Sequence, residues 1–154
     1  MDPVWFTPED QDTLCLTPFW VLSSLSGRHG RLEPVELGVL VQCVELAGVA
    51  PGELVAQVLT VVQNDVERLA ARFEHDPRTV STGLMDVAVV LRQVPRSEAQ
   101  LFKRMLVGDL GVLLATALGP FGRTAKVEDL LRLQLLPALL EDPDVRPFHT
   151  RAVG

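Results

Sequence analysis

His75 lies between two carboxylates, Glu74 and Asp76, and an imidazole beside carboxylates can transfer protons as a general acid or base. The same run, Glu74-His75-Asp76-Pro77, is also typical of a solvated loop between two helices, because the residue before a proline disfavours helical geometry. We interpret these residues as such a loop, and they do not predict a catalytic site.

Other catalytic patterns are missing from the sequence. It contains no Gly-x-Ser-x-Gly turn for a serine nucleophile and no Gly-x-x-x-x-Gly-Lys loop for a phosphate. Cys15 and Cys43 lack the spacing of zinc ligands and have no histidine near them in sequence, and we expect two thiols buried in the core. We therefore expect a protein that is not an enzyme.

Two acids lie in apolar segments, Asp86 and Asp109. Carboxylates on apolar helix faces can form metal or proton sites, but more commonly each one reaches an arginine at the edge of the core. Arg68, Arg72 and Arg104 are the arginines that we expect as partners.

Composition indicates one globular domain. The chain has 154 residues, of which 47% are apolar and 22% charged, and 14 Lys+Arg against 20 Asp+Glu give a formal charge of −6. An acidic protein without a basic cluster is a poor partner for nucleic acid or an anionic membrane. Other proteins are the expected partners, and a homo-oligomer is left open.

The cellular compartment is predicted from the first residues of the sequence and from its most apolar stretch. The residues from Met1 to Trp5 carry no basic region followed by an apolar run, which predicts no secretory signal. The run 105–118 contains Asp109 and is shorter than the ~20 apolar residues that a membrane span needs. We expect a cytoplasmic protein with no membrane span.

Capping residues and apolar spacing predict helices throughout. Thr7-Pro8 predicts a helix start, and that helix either runs to about Leu25 with a kink at Pro18 or ends near Leu16 and restarts at Thr17. The second predicted helix ends near Gly48, and the third has the 4-3-4-3-4 spacing from Val55 to Phe73. The fourth starts at Asp76-Pro77. The fifth starts with a capping box at Ser97 and runs to about Leu118, and the last covers 127–140. Leu59, Val62, Val66 and Leu69 should line the main core.

These elements predict an all-α, single-domain bundle of six to seven helices over residues 1–140. Residues 141–154, with two prolines, should form an irregular C-terminal tail. Runs rich in β-branched residues, such as 58–62 and 87–91, lie inside long segments without alternation, so we assign them to helices.

The turn between the first two predicted helices carries a recognisable pattern. Gly30 is followed by Leu32 and then by Glu36, in the run Gly30-Arg31-Leu32-Glu33-Pro34-Val35-Glu36. This pattern resembles the TerB-like family of tellurite-resistance proteins, in which Asp-Gly-x-Ile-x-x-x-Glu joins two helices. His29 stands where the family has its aspartate, which is a departure.

A second turn is similar to the second helix–turn–helix of the same family. Gly119-Pro120-Phe121-Gly122 is the glycine-rich turn, and Val127 takes the place of the family's isoleucine. The family's glutamate is absent, because Leu131 stands at that position.

The resemblance implies a fold and a function. It implies a TerB-like bundle in a non-enzymatic stress-response protein of the tellurite or metal-ion resistance type, which acts mainly through protein–protein contacts. It also implies a ligand set at the first turn, with His29 and Glu36 as candidate metal ligands and Glu33 as a third. Two or three ligands are fewer than most metal sites have, and Arg28 and Arg31 oppose a cation, so we expect at most weak divalent-ion binding and no other cofactor.

Two alternatives remain. The first is a module whose function is to bind a divalent metal ion. The second is a helical-bundle hydrolase that uses carboxylate-bound magnesium, which would need Glu-x-x-Glu or Glu-x-x-Asp pairs that face inward. Glu33-x-x-Glu36 is the candidate pair near a turn, and Pro34 within it places the pair at a helix start.

Overall fold

The computed structural model describes residues 6–26 and 32–118, and all of their regular structure is helical. In chain order the elements are α1 (Pro8–Ser26), α2 (Pro34–Ala47), α3 (Glu53–Asn64), α4 (Val66–Glu74), α5 (Val80–Leu91), α6 (Arg96–Arg104), a π-helical segment (Met105–Leu110) and α7 (Gly111–Leu118). The all-α bundle predicted from the sequence is confirmed. The predicted helix 127–140 and the predicted tail 141–154 lie outside the described residues.

Helix α1 is the centre of the bundle. It packs against α2, α3, α4, α5, α7 and the π-helical segment. After the polar first turns, its residues from Thr13 to Leu25 are mostly apolar and are buried except for the half-buried Ser24. A helix that is apolar all round has no face for solvent and belongs inside a bundle.

The start of α1 is held by a reciprocal cap. The backbone N–H of Asp10 donates to Thr7 Oγ1 at 3.1 Å, and the backbone N–H of Thr7 donates to Asp10 Oδ2 at 3.4 Å. The helix continues through Pro18 without ending there, so the first of the two predicted arrangements is the observed one. Thr17 is fully buried, and its hydroxyl donates to the carbonyl oxygen of Thr13 at 3.3 Å.

The helix predicted from the spacing of Val55 to Phe73 is two helices. Asp65 has φ −123° and ψ 29°, which interrupts the helix between α3 and α4. Leu59, Val62 and Leu69 are buried as predicted, whereas Val66, the first residue of α4, is half-buried. Three of the four predicted core residues are therefore buried in spite of the break.

Two predicted helix starts are wrong. Helix α5 begins at Val80, and its cap is Thr79, whose Oγ1 accepts from the backbone N–H of Thr82 at 3.1 Å. Asp76, the predicted cap, is bonded to Arg78 instead. Helix α6 begins at Arg96 with Pro95 at the cap position, so Ser97 lies inside the first turn.

Helix α6, the π-helical segment and α7 form one continuous helix over residues 96–118, the last residues that the structure describes. The π-helical segment in its middle was not predicted. Among the described residues, no helix combines the length and the apolar composition that crossing a membrane requires.

Candidate functional site

The predicted metal ligands are at the start of α2. His29 lies outside the described residues. Glu33 is the exposed cap residue, and Glu36 is 9% exposed in the first turn. The backbone N–H of Glu33 donates to Glu36 Oε1 at 3.0 Å, which makes the two glutamates a capping box. The Glu36 carboxylate therefore has a structural role at the helix start.

No group of three or more His, Cys, Asp or Glu side chains is placed to hold a metal ion within residues 6–26 and 32–118. Within that part of the chain, Glu33 and Glu36 are therefore two predicted ligands without a third. His29 is the predicted ligand whose position this leaves open.

Both thiols are buried and free. Burial, with a smaller contribution from the Asp12 carboxylate, raises the pKa of the Cys15 thiol to about 12. Burial also raises the pKa of Cys43. A thiol nucleophile acts as its thiolate, so these pKa values do not suit catalysis near neutral pH.

A cluster of polar side chains surrounds Arg78, in the loop between α4 and α5. The Arg78 guanidinium donates from Nε and Nη2 to the two carboxylate oxygens of Asp76, at 2.9 and 2.7 Å. Its Nη1 donates to Asp86 Oδ2 at 3.0 Å and to Thr13 Oγ1 at 3.3 Å. Arg78 thereby joins its own loop to α1 and α5.

Arg78 also lies over an aromatic ring. Its Cζ is 4.9 Å from the ring centroid of Trp20, a distance at which a guanidinium is attracted to the ring face. Beside this contact is a cavity of about 430 Å³. Its lining residues are Trp20, Ser23, Phe73, Asp76, Pro77, Arg78, Thr79 and Val80.

The charges in this cluster stabilise each other. The side-chain hydrogen bond from Arg78 lowers the pKa of Asp76 below its ordinary value, and the bonds that Arg78 donates to Asp76 and Asp86 raise the pKa of Arg78. An ionised carboxylate paired with a permanently charged guanidinium does not exchange protons near neutral pH. The arrangement therefore positions helices and does not suit acid–base catalysis.

The expectation that Asp86 reaches an arginine is correct, but the partner is Arg78. Of the arginines that we expected, Arg72 is bonded to Asp12 at 2.8 Å, and Arg68 lies 3.4 Å from Asp65. Asp109 is exposed on the π-helical segment. The sequence contained one signal for the pairing of Asp76 with Arg78. Asp76 precedes Arg78 by two residues, and at this spacing an aspartate side chain accepts a hydrogen bond from the backbone N–H two residues on. His75 is exposed in the same loop, as expected.

The outer surface of α2 has an unusual composition. Val35, Val39, Gln42 and Leu46 lie on α2 at intervals of 4, 3 and 4 residues, and Val49 follows three residues later in the turn after the helix; we call this set the outer stripe of α2. Val39 is half-buried, whereas the exposed fractions of Val35, Leu46 and Val49 are 55%, 58% and 88%. A helix of a bundle ordinarily turns charged side chains to solvent, but here the side chains are mostly apolar.

The elements next to α2 add apolar surface and no positive charge. Helix α2 packs against α7 and the π-helical segment, and Val112 on α7 is also exposed. The charged residues of α2, α7 and the π-helical segment are Glu36, Glu45 and Asp109, with no lysine or arginine. Glu45 and Asp109 are exposed, so the formal charge on this surface is negative.

Comparison of the chain with protein-family models, with curated proteins and with solved structures finds no match. The described residues offer two features of distinct chemistry. The Arg78 cluster directs its hydrogen bonds to side chains of the fold itself. The outer stripe of α2 turns its apolar side chains to solvent and is the candidate functional surface.

Proposed function

We propose that the protein is a non-enzymatic stress-response protein that acts mainly through contacts with other proteins. The observation that supports this proposal is the outer stripe of α2, whose apolar side chains are exposed. The TerB-like resemblance of the turn from Gly30 to Glu36 supplies the setting, which is resistance to tellurite or to metal ions. We therefore propose the outer stripe of α2 as the surface that contacts other proteins.

The free energy that this surface offers is modest. Full burial of a valine or leucine side chain is worth roughly 1.5–3 kcal/mol, and less where the side chain is already half-covered. Val35 and Leu46 are about half-covered by the bundle, whereas Val49 is almost fully exposed. We therefore expect a reversible contact and not a permanent complex.

The first turn of α2 favours protein–protein contact, rather than ion binding, as the main role of the protein. Glu36 Oε1 already accepts from the backbone N–H of Glu33, and the carboxylate is largely buried. Recruiting it to a cation would compete with the cap, which stabilises a helix by about 1 kcal/mol. Weak divalent-ion binding at this turn is therefore the most that we propose.

Growth of the host under stress tests the proposal. Deletion of the gene from its own host should lower the tellurite concentration at which growth stops, and the wild-type chain should restore it. Leu46→Glu places a charge in the outer stripe and should fail to restore growth. Val89→Glu is the matched control, because Val89 on α5 is 51% exposed, close to the 58% of Leu46, but lies outside the stripe.

Each result decides a separate point. A deletion strain with unchanged tolerance to tellurite and to divalent metal ions would overturn the stress-response role. Restoration by Leu46→Glu as complete as that by Val89→Glu would overturn the assignment of the contact surface to α2. Circular dichroism of both purified variants should first show the helical content of the wild type.

A further inference from the structure

We infer that the outer stripe of α2 docks an amphipathic helix of another protein, in which lysine or arginine residues flank an apolar stripe. This inference rests on the proposed function and names the chemistry of the partner. Three features of the described residues carry it: the spacing of the stripe, the sign of the surrounding charge and the size of the surface.

The spacing selects a helix as the ligand. Intervals of 4, 3, 4 and 3 residues are those of the seam along which two helices pack lengthwise. The stripe follows α2 from Val35 to Leu46 and ends in the turn after it, and the 14 residues of α2 span about 21 Å at a rise of ~1.5 Å per residue. A partner helix of about four turns therefore matches it end to end, with apolar side chains at the same intervals.

Gln42 lies at the middle of the stripe and is exposed. Its amide can both donate and accept a hydrogen bond. A polar residue within an apolar seam fixes the register of two helices, because a shifted partner would leave the amide unpaired in an apolar contact. The partner helix should therefore present a polar side chain opposite Gln42.

The charge around the stripe selects basic flanks. Glu45 and Asp109 are exposed on α2 and the π-helical segment. These elements contain no lysine or arginine. Lysine or arginine beside the apolar stripe of a partner would meet opposite charge, whereas glutamate or aspartate would meet like charge, so the surface discriminates between them.

The size of the surface argues against a second copy of this chain. A stripe about 20 Å long and about 10 Å wide covers roughly 200 Å², against the ~800 Å² per partner of a standard stable interface. A second copy would also bring Glu45 and Asp109 toward the same acids, and each chain carries a formal charge of −6. A transient contact with a basic helix needs less area than a stable dimer and brings opposite charges together.

Titration of the full-length ¹⁵N-labelled protein with designed peptides tests the inference. The first peptide is an 18-residue helix with leucines at 4-3-4-3 intervals, one central glutamine and lysines elsewhere, held helical by a side-chain lactam. The second replaces its lysines with glutamates. We expect the lysine peptide to shift the amide signals of Val35, Leu46 and Val49, and to bind at least ~10-fold more tightly than the glutamate peptide, with the difference shrinking in high salt.

Leu46→Glu should abolish these shifts, and Val89→Glu should leave them unchanged. Equal binding of the two peptides, no binding of either, or shifts centred on α5 would overturn the inference. So would a dimer seen by sedimentation that Leu46→Glu dissociates, since a second copy would then occupy the stripe. Shielding of the Leu46 methyl groups from a soluble gadolinium chelate in the free protein would overturn it too, because the chain would then cover its own stripe.

Failure of the inference is distinguishable from failure of the proposed function. If the peptides do not discriminate but Leu46→Glu still fails to restore growth, α2 remains the contact surface and the basic helix is wrong. If the peptides discriminate but Leu46→Glu restores growth, the stripe binds basic helices in vitro and the proposed function of that contact is wrong.

Discussion

Gly83 on α5 lies directly against the indole ring of Trp20 on α1. A β-carbon built on Gly83 would be 2.5 Å from Cζ2 and 2.7 Å from Cδ2 of that ring, closer than carbon atoms approach in proteins. Trp20 is 1% exposed, and Arg78 Cζ lies 4.9 Å from the centroid of its ring. The absence of a side chain at Gly83 is what allows α5 to pack closely on the central helix.

Gly83→Ala should therefore destabilise the protein. Overpacking costs about 1–3 kcal/mol, which exceeds the roughly 0.5–1 kcal/mol that alanine gains over glycine inside a helix. Gly38→Ala in α2 is the matched control, because a β-carbon there meets nothing within 4 Å, and it should stabilise the protein by about 0.5–1 kcal/mol. Urea denaturation measures both changes, and two changes of the same sign would contradict this account of the α1–α5 contact.

Asp76→Asn should weaken the link between the α4–α5 loop, α1 and α5. The Asp76 side chain is 5% exposed and accepts two hydrogen bonds from a charged guanidinium, so we expect a loss of about 1.5–3 kcal/mol at pH 7. Asp86→Asn should cost less than about 1 kcal/mol, because Asp86 is 47% exposed and accepts a single bond at 3.0 Å from Arg78. Equal losses in the two variants would show that burial of Asp76 is not what strengthens its pair.

Acid should remove the stabilisation that Asp76 provides. Arg78 holds the pKa of Asp76 below its ordinary value of 3.8, so this contribution is complete above that pH and is lost as the pH falls through the lowered pKa. The free energy of unfolding of the wild type should fall below about pH 4, and that of Asp76→Asn should fall less steeply. Denaturant titrations from pH 2 to pH 7 measure the two slopes, and parallel curves would show that another carboxylate controls the acid limb.

Leu59→Ala and Leu69→Ala should each destabilise the protein by about 2–5 kcal/mol, because both leave a cavity in the main core. Leu46→Ala is the control, since Leu46 is exposed, and it should change stability by less than about 0.5 kcal/mol. Losses below about 1 kcal/mol at both core positions would mean that the core collapses to fill these cavities.

Metal binding at the first turn of α2 should be weak. Glu36 is engaged as a cap, and one imidazole with one or two carboxylates leaves most of the coordination shell to water. Isothermal titration of the chelator-stripped protein with calcium, magnesium and zinc should give no one-to-one isotherm in the micromolar range. A low-micromolar zinc isotherm that disappears in His29→Ala would restore the metal-binding interpretation.

The core was predictable from spacing, and the helix boundaries were less so. Leu59, Val62 and Leu69 were found because their spacing repeats at the period of a helix, and the break at Asp65 interrupts the backbone without removing them from the core. The start of α5 was misplaced because Asp76 and Thr79 are both good capping residues. Arg78 decides between them by occupying the Asp76 carboxylate, and a pairing of this kind is not visible from helix-start signals alone.

The outer stripe of α2 was not predictable from the same spacing. The segment Pro34–Ala47 is apolar on several sides, with Leu40 and Val44 on the buried side and Val35 and Leu46 on the exposed side. When both sides are apolar, the position of the neighbouring helices decides which side meets solvent.

The central position of α1 has a consequence for biosynthesis. Helix α1 precedes in the chain every other helix that covers it, and α7 is the last of the described elements to be made. At ~5–20 residues per second, a ribosome needs roughly 5 to 20 seconds to extend the nascent chain from the end of α1 to the end of α7. Throughout that time the helix with the most buried surface has an incomplete set of neighbours. We expect chaperones that hold apolar nascent segments to compete for α1 until translation passes Leu118.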